Sequence, residues 1–93
     1  MTTAWRVVWD PHTRKDLERI GRPAAERIRE AVLSRLSMNP HLGRALRTSS
    51  QLPLFRFRVG DYRVIYALRE QELLILIVRV GHRREVYRHL RGE

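Results

Sequence analysis

The sequence predicts an α+β fold whose elements run β-α-α-β-β-β-α. Three observations predict it: two alternating apolar runs that meet at Gly60-Asp61, an apolar stripe at helical spacing from residue 23 to 38, and the continuous apolar run LLILIVRV at 73–80. With 93 residues and 43% hydrophobic content the chain supports one core, hence a single domain over residues 1–93.

The first strand is AWRVVW at residues 4–9, where Trp5, Val7 and Trp9 alternate onto one face. Asp10-Pro11 opens a helix over 11–20, because Asp is a favoured N-cap and proline's missing N–H has no partner in the first turn. Leu17 and Ile20 are its only clear apolar anchors, so it must lean on a neighbour, and Gly21 ends it. A second helix starts near Pro23, with Ala25, Ile28, Val32 and Leu36, and Leu33 alongside, on its apolar side. Glu26, Arg29, Glu30 and Arg35 make the opposite, solvated side, and Asn39-Pro40 stops the helix because the residue before proline is pushed out of the α region. The two helices are expected to form a hairpin, followed by one extended irregular stretch, NPHLGRALRTSSQ at 39–51.

Next comes FRFRVGDYRVIY, residues 55–66. Gly60-Asp61 suits the positive φ of a two-residue turn, which puts Val59 opposite Tyr62, Phe57 opposite Val64 and Phe55 opposite Tyr66 on a face suited to a core. On the other face Arg58 lies opposite Arg63, and Arg56 opposite Ile65. Like charges directly opposite on a sheet are destabilising, so folding alone gives no reason for the pairing. An anion gives one, since guanidinium forks match phosphate bidentately; the alternative is an exposed sheet face that is simply rich in arginine. A polar turn, REQE at 69–72, leads to the strand at 73–80, whose continuous apolar character fits a central position. A turn of even or odd length sends Arg79 to opposite faces, and an odd one brings it to the arginine patch. The tail GHRREVYRHLRGE returns to helix, with Arg83 and Tyr87 four apart on one face. Tyr87 is a packing residue, a stacking platform for a base, or a phenol made labile by nearby cations.

The formal charge is +9, and Lys15 is the only lysine. That balance argues for a polyanion partner, nucleic acid or an acidic protein segment. No secretion signal and no apolar run of about 20 residues is present, which predicts neither export nor a membrane partner. Zero cysteines exclude disulfides and thiolate chemistry and fit the cytoplasm. His12, His41, His82 and His89 are scattered without metal-ligand spacing, so neither a metal nor another cofactor is expected.

The motifs GDYRVIY and RVGHRREVY, within residues 55–87, together with the order of elements over nearly the whole chain, resemble the RelE/ParE toxin superfamily and within it the RelE branch. The resemblance implies a small, mostly antiparallel four-stranded sheet with the helical hairpin packed on one face and a short C-terminal helix. It also implies the toxin of a type II toxin–antitoxin pair: a metal-independent, ribosome-dependent endoribonuclease that cuts messenger RNA in the A site through attack of the 2′-hydroxyl on the adjacent phosphate. The family's catalytic positions fall on Arg56, Arg58, Arg63, Arg83 and Tyr87, and Arg47, Arg79, His82 and Arg84 are expected to bind RNA around them. Positions 56 and 58 are often lysine in the family, and arginine cannot give up its proton as lysine can. A general base at Arg56 is thereby disfavoured, and His82 becomes the spare candidate base. The implied partners are the ribosome with its message and an acidic, RelB-like antitoxin that wraps the toxin, operator DNA being met only through that antitoxin. Two other readings stand beside it: a ParE-like inhibitor of DNA gyrase, which shares the fold but lacks the cutting constellation, and a non-catalytic RNA- or ribosome-binding module that uses the same arginine patch for affinity only.

Overall fold

The computed structural model describes residues 4–46 and 53–82. Arg47, Arg83, Arg84, Tyr87 and the expected C-terminal helix lie outside the described residues. The elements are β1 (Arg6–Trp9), α1 (Pro11–Ile20), α2 (Arg22–Ala31) continued by a π-turn (Val32–Leu36), β2 (Arg44–Leu46), β3 (Leu54–Val59), β4 (Tyr62–Arg69), a 3-10 turn (Glu70–Glu72) and β5 (Leu74–His82). They form a five-stranded sheet in the order β1-β5-β4-β3-β2. The expected four strands are therefore corrected to five, because β2 lies inside the stretch read as irregular. Three residues are too few for alternation to register as a pattern.

Local chemistry accounts for the helices. The Asp10 carboxylate accepts from the backbone N–H of His12 at 2.9 Å, capping α1. Gly21, at φ 91°, makes the corner between α1 and α2. The last turn of α2 widens where the Ser37 amide donates to Val32 O at 2.9 Å, five residues back. Of the apolar stripe, Ile28, Val32 and Leu36 are buried, whereas Leu33 is exposed and takes no part in the core.

The helices cover one face of the sheet, where Leu17, Ile28, Val32 and Leu36 meet Phe57, Val64, Tyr66, Ile75, Ile77 and Val80. Each such aliphatic side chain contributes about 1.5–3 kcal/mol by leaving water. Trp5, Val7 and Trp9 pack against this core half-buried, as alternation predicts. The opposite face carries a smaller cluster of Leu54, Ile65 and Ala67 flanked by Leu46 and Val78.

The β3–β4 register is the expected one at every pair from Phe55↔Tyr66 to Val59↔Tyr62. Only Gly60, at φ 59°, has a positive φ in the turn, which is the pattern of a II′ rather than an I′ hairpin. β5 is central, antiparallel to β4 and parallel to β1. The connection from Arg69 to Leu74 has an even number of residues, with Leu73 in the left-handed region at φ 50°. Counting from it would pair Arg79 with Val64 on the helix side, but a bulge at Val78 shifts the register, so Arg79 pairs with Ile65 and Val80 with Val64.

Candidate nucleic-acid interface

The β3–β4 hairpin presents its arginines as the alternation requires. Arg58 is directly opposite Arg63, and Arg56 opposite Ile65. On the far side of β3, Arg44 of β2 pairs with Arg56. Through the bulge, Arg79 reaches the same row from β5, which then reads Arg44, Arg56, Ile65, Arg79 across four strands. The small apolar cluster around Ile65 forms the floor beneath these cations, and a low-dielectric floor strengthens the field above it.

The arginines differ in how firmly they are held. Arg58 and Arg44 are exposed. Arg63 is only 6% exposed. Its Nη1 donates to Tyr62 O at 3.2 Å and to Gly60 O at 3.4 Å, so the carbonyls of the turn hold the guanidinium. Its buried Nε finds no hydrogen-bond partner among the described residues. The premise that folding has no use for Arg63 is thus corrected: it also braces the hairpin turn.

Arg79 is drawn toward the edge of the sheet. β1 ends at Trp9, so β5 beyond Ile77 has no ladder partner on that side among the described residues. Asp16 of α1 fills the gap, accepting from the Val80 amide at 2.9 Å while its carboxylate lies 3.3 Å from Arg79 Nε. That second contact is an ion pair without the alignment of a hydrogen bond. His82 pairs with Tyr62, its ring edge-on at 6.0 Å, whereas Arg63 faces Gly81. The register thus turns His82 to the row of Tyr62, one step off the row of Arg63.

A buried tyrosine fastens β2 to the sheet. Tyr66 Oη donates to Pro40 O at 2.8 Å and accepts from the Gly43 amide at 3.0 Å, and its ring stacks on Phe55 with centroids 5.5 Å apart. A Cβ at Gly43 would collide with Arg56 O and Tyr66 Oη, so only glycine permits this approach. Burial raises the Tyr66 phenol above its ordinary pKa, an effect partly opposed by the Gly43 hydrogen bond. Because the folded state favours the neutral phenol, its contribution is complete below the unfolded value, about pH 10, and is lost as the pH rises further. Tyr66→Phe is expected to cost about 1–3 kcal/mol at neutral pH by orphaning Pro40 O and Gly43 N–H, and to flatten the alkaline limb of stability above about pH 10. Urea titrations at pH 7 and above pH 10 measure both effects, and equal stability of the two proteins at pH 7 would remove the clamp.

Two of these features escaped the sequence. Arg44 lies in a strand too short to read. Asp16 left a trace, since Thr13, Asp16, Leu17 and Ile20 fall at i, i+3, i+4 and i+7, and a carboxylate on a core-facing stripe calls for a buried partner.

Comparison with known proteins agrees with this architecture. The family described as "ParE toxin of type II toxin-antitoxin system, parDE" matches residues 7–87. Toxin RelE of Mycobacterium tuberculosis is 36% identical over 75 residues, which cover 80% of this chain and 76% of that protein. This chain belongs to the RelE/ParE toxin superfamily. Among solved RelE structures, that in the toxin–antitoxin complex RelBE2 from Mycobacterium tuberculosis superposes with a TM-score of 0.79 at 25% identity, covering 91% of this chain and 98% of that one. The isolated E. coli RelE toxin gives a TM-score of 0.65 at 20% identity, covering 92% and 94%, and that likeness concerns the fold alone. The RelE/ParE fold thus accounts for the helical hairpin packed on one sheet face. Among the described residues no helix is long and apolar enough to cross a membrane.

Proposed function

We propose that this RelE-like toxin is a ribosome-dependent endoribonuclease that cuts messenger RNA in the A site. The observation that carries the reading is the convergence of Arg56, Arg58 and Arg63 on one sheet face, with Arg58 and Arg63 directly opposed despite their like charge. The buried Nε of Arg63, which has no hydrogen-bond partner among the described residues, adds a donor whose desolvation a phosphate oxygen would offset.

The 2′-oxygen bonds to the adjacent phosphorus, the P–O5′ bond breaks, the 2′ proton leaves to a base, and a proton is delivered to O5′. The products are a 2′,3′-cyclic phosphate and a free 5′-hydroxyl. Arg56, Arg58 and Arg63 orient the backbone and stabilise the charge that builds on the equatorial oxygens. By resemblance Arg83 supports the leaving oxygen and Tyr87 stacks on a base or handles a proton, while Arg47, Arg84 and the free edge of Arg79 bind flanking RNA. His82, turned to the row of Tyr62, is the weaker candidate for the base.

An antitoxin partner is part of the proposal. Similar RelE toxins have been solved in complex with RelB, including the RelBE complex of E. coli, and a +9 surface suits an acidic segment that neutralises arginines as it buries apolar anchors. Operator DNA would then be met through the antitoxin, and the toxin would act in the cytoplasm.

The test is to map the ends produced on a translated message in purified components. Cuts within the A-site codon, bearing cyclic phosphate and 5′-hydroxyl and depending on ribosomes, are expected; an intact message would remove the nuclease. The matched family is described as a ParE toxin, and the resemblance to the ParE branch gives a second reading, inhibition of DNA gyrase. A plasmid-relaxation assay separates it, since a gyrase inhibitor blocks supercoiling and leaves the message whole. A non-catalytic RNA-binding module would do neither.

A further inference from the structure

Arg44 is the cation that neither the sequence motifs nor the family resemblance picks out. It stands opposite Arg56 at the sheet edge, the two strands being about 4.8 Å apart. Beyond Arg56 no strand pairs with β3 on this side among the described residues. The edge at Phe57 and Arg58 therefore opens into a hollow of about 280 Å³, walled by Leu42, Gly43, Arg44, Arg56, Phe57 and Arg58. A water occupies about 30 Å³, so the hollow has room for a phosphodiester with part of its hydration. Three guanidinium-bearing residues and an unpaired strand edge make it a site for an anion.

Its construction explains why the charges stay together. Tyr66 holds the loop before β2 from both Pro40 O and the Gly43 amide, and Gly43 lies so close to Arg56 O that no side chain fits between them. The backbone of Arg44 cannot move away from that of Arg56 without breaking that clamp. Like charges opposed across a sheet cost stability, and a bound anion offsets the cost.

We propose that this hollow binds a backbone phosphate of single-stranded RNA next to the scissile one, with Arg44 as its outer clamp. The choice of RNA rests on the nuclease reading above; the anion site itself does not. Lying one strand outside Arg56, Arg44 contributes binding rather than stabilisation of the reacting phosphorus, so its loss should raise KM and spare kcat.

The experiment has two arms. In the first, the free protein binds a fluorescent single-stranded RNA with 2′-O-methyl riboses, which cannot be cut, across a salt series. Arg44→Gln should weaken binding about tenfold at low salt and reduce the slope of log K against log salt by about 0.7, the loss of one phosphate contact. Arg44→Lys should keep the slope, and Arg19→Gln, an exposed arginine on α1, should behave as wild type. An unchanged slope in Arg44→Gln, or an equal loss in Arg19→Gln, overturns the proposal. So does an Arg44→Gln protein that loses affinity for poly-L-glutamate alone, which would give the site to an acidic protein partner. In the second arm, ribosome-dependent cleavage by Arg44→Gln should show the KM effect with kcat retained, and a fall in kcat alone overturns the outer-clamp role. A wild type that cuts no message but shows the Arg44-dependent slope removes the nuclease and supports the phosphate site.

Discussion

Asp16→Ala is expected to lower the melting temperature by about 8–30 °C. Asp16 is 3% exposed, and its carboxylate accepts from the Val80 amide, where β5 outruns β1, and forms an ion pair with Nε of Arg79. Removing one partner of a buried ion pair costs about 3–5 kcal/mol, and leaving a buried N–H unpaired about 1–3. The Arg79 side chain keeps 21% of its surface in water, which screens part of the loss, so about 2–4 kcal/mol is expected in total. In a domain of this size each kcal/mol moves the midpoint by about 4–8 °C. Asp16→Asn retains an acceptor for Val80 and should lose about half as much. Thermal melts of the three proteins decide the matter, and a shift of less than about 3 °C in the alanine variant would mean that the pair contributes little.

Arg63→Ala should reduce ribosome-dependent cleavage by about 10²–10³-fold, the usual result of deleting a preorganised donor to a reacting oxyanion. It should also destabilise the protein by about 1–3 kcal/mol, because Nη1 no longer ties down Tyr62 O and Gly60 O. Arg63→Lys separates the two roles. A lysine keeps the charge but not the planar fork, so the fold should survive while cleavage remains at least about tenfold down. Melting curves measured beside end-mapped cleavage distinguish a lost donor from a lost fold. A folded alanine variant that cuts at the wild-type rate would take Arg63 out of the reaction.

The legible parts of this protein are those written in neighbouring residues. Asp10-Pro11 and Gly21 bound α1 as expected. Gly60-Asp61 sets a two-residue turn, and once the turn length is known every pair from Val59↔Tyr62 outward follows from the period of two. The opposition of Arg58 and Arg63 could therefore be written down before any fold was in view. Arg79 was different. Its row depends on one inserted residue, Val78, in a ladder with a distant strand, and a single insertion reverses every alternation beyond it. Arg44 joins the site only because Tyr66, more than twenty residues away, clamps the loop before it.

The sequence by itself determined the hairpin, its arginine face and the amphipathic helices, because each arises from dihedral preferences and side-chain periodicity within a few residues. The tertiary structure alone decided the fifth strand, the bulge that brings Arg79 to the row of Arg56, the Asp16 bridge and the bracing of Arg63. Those rest on hydrogen bonds and ion pairs that form only when the sheet edge is left open by where β1 stops and where β2 begins, and no local preference encodes where two distant segments end beside each other.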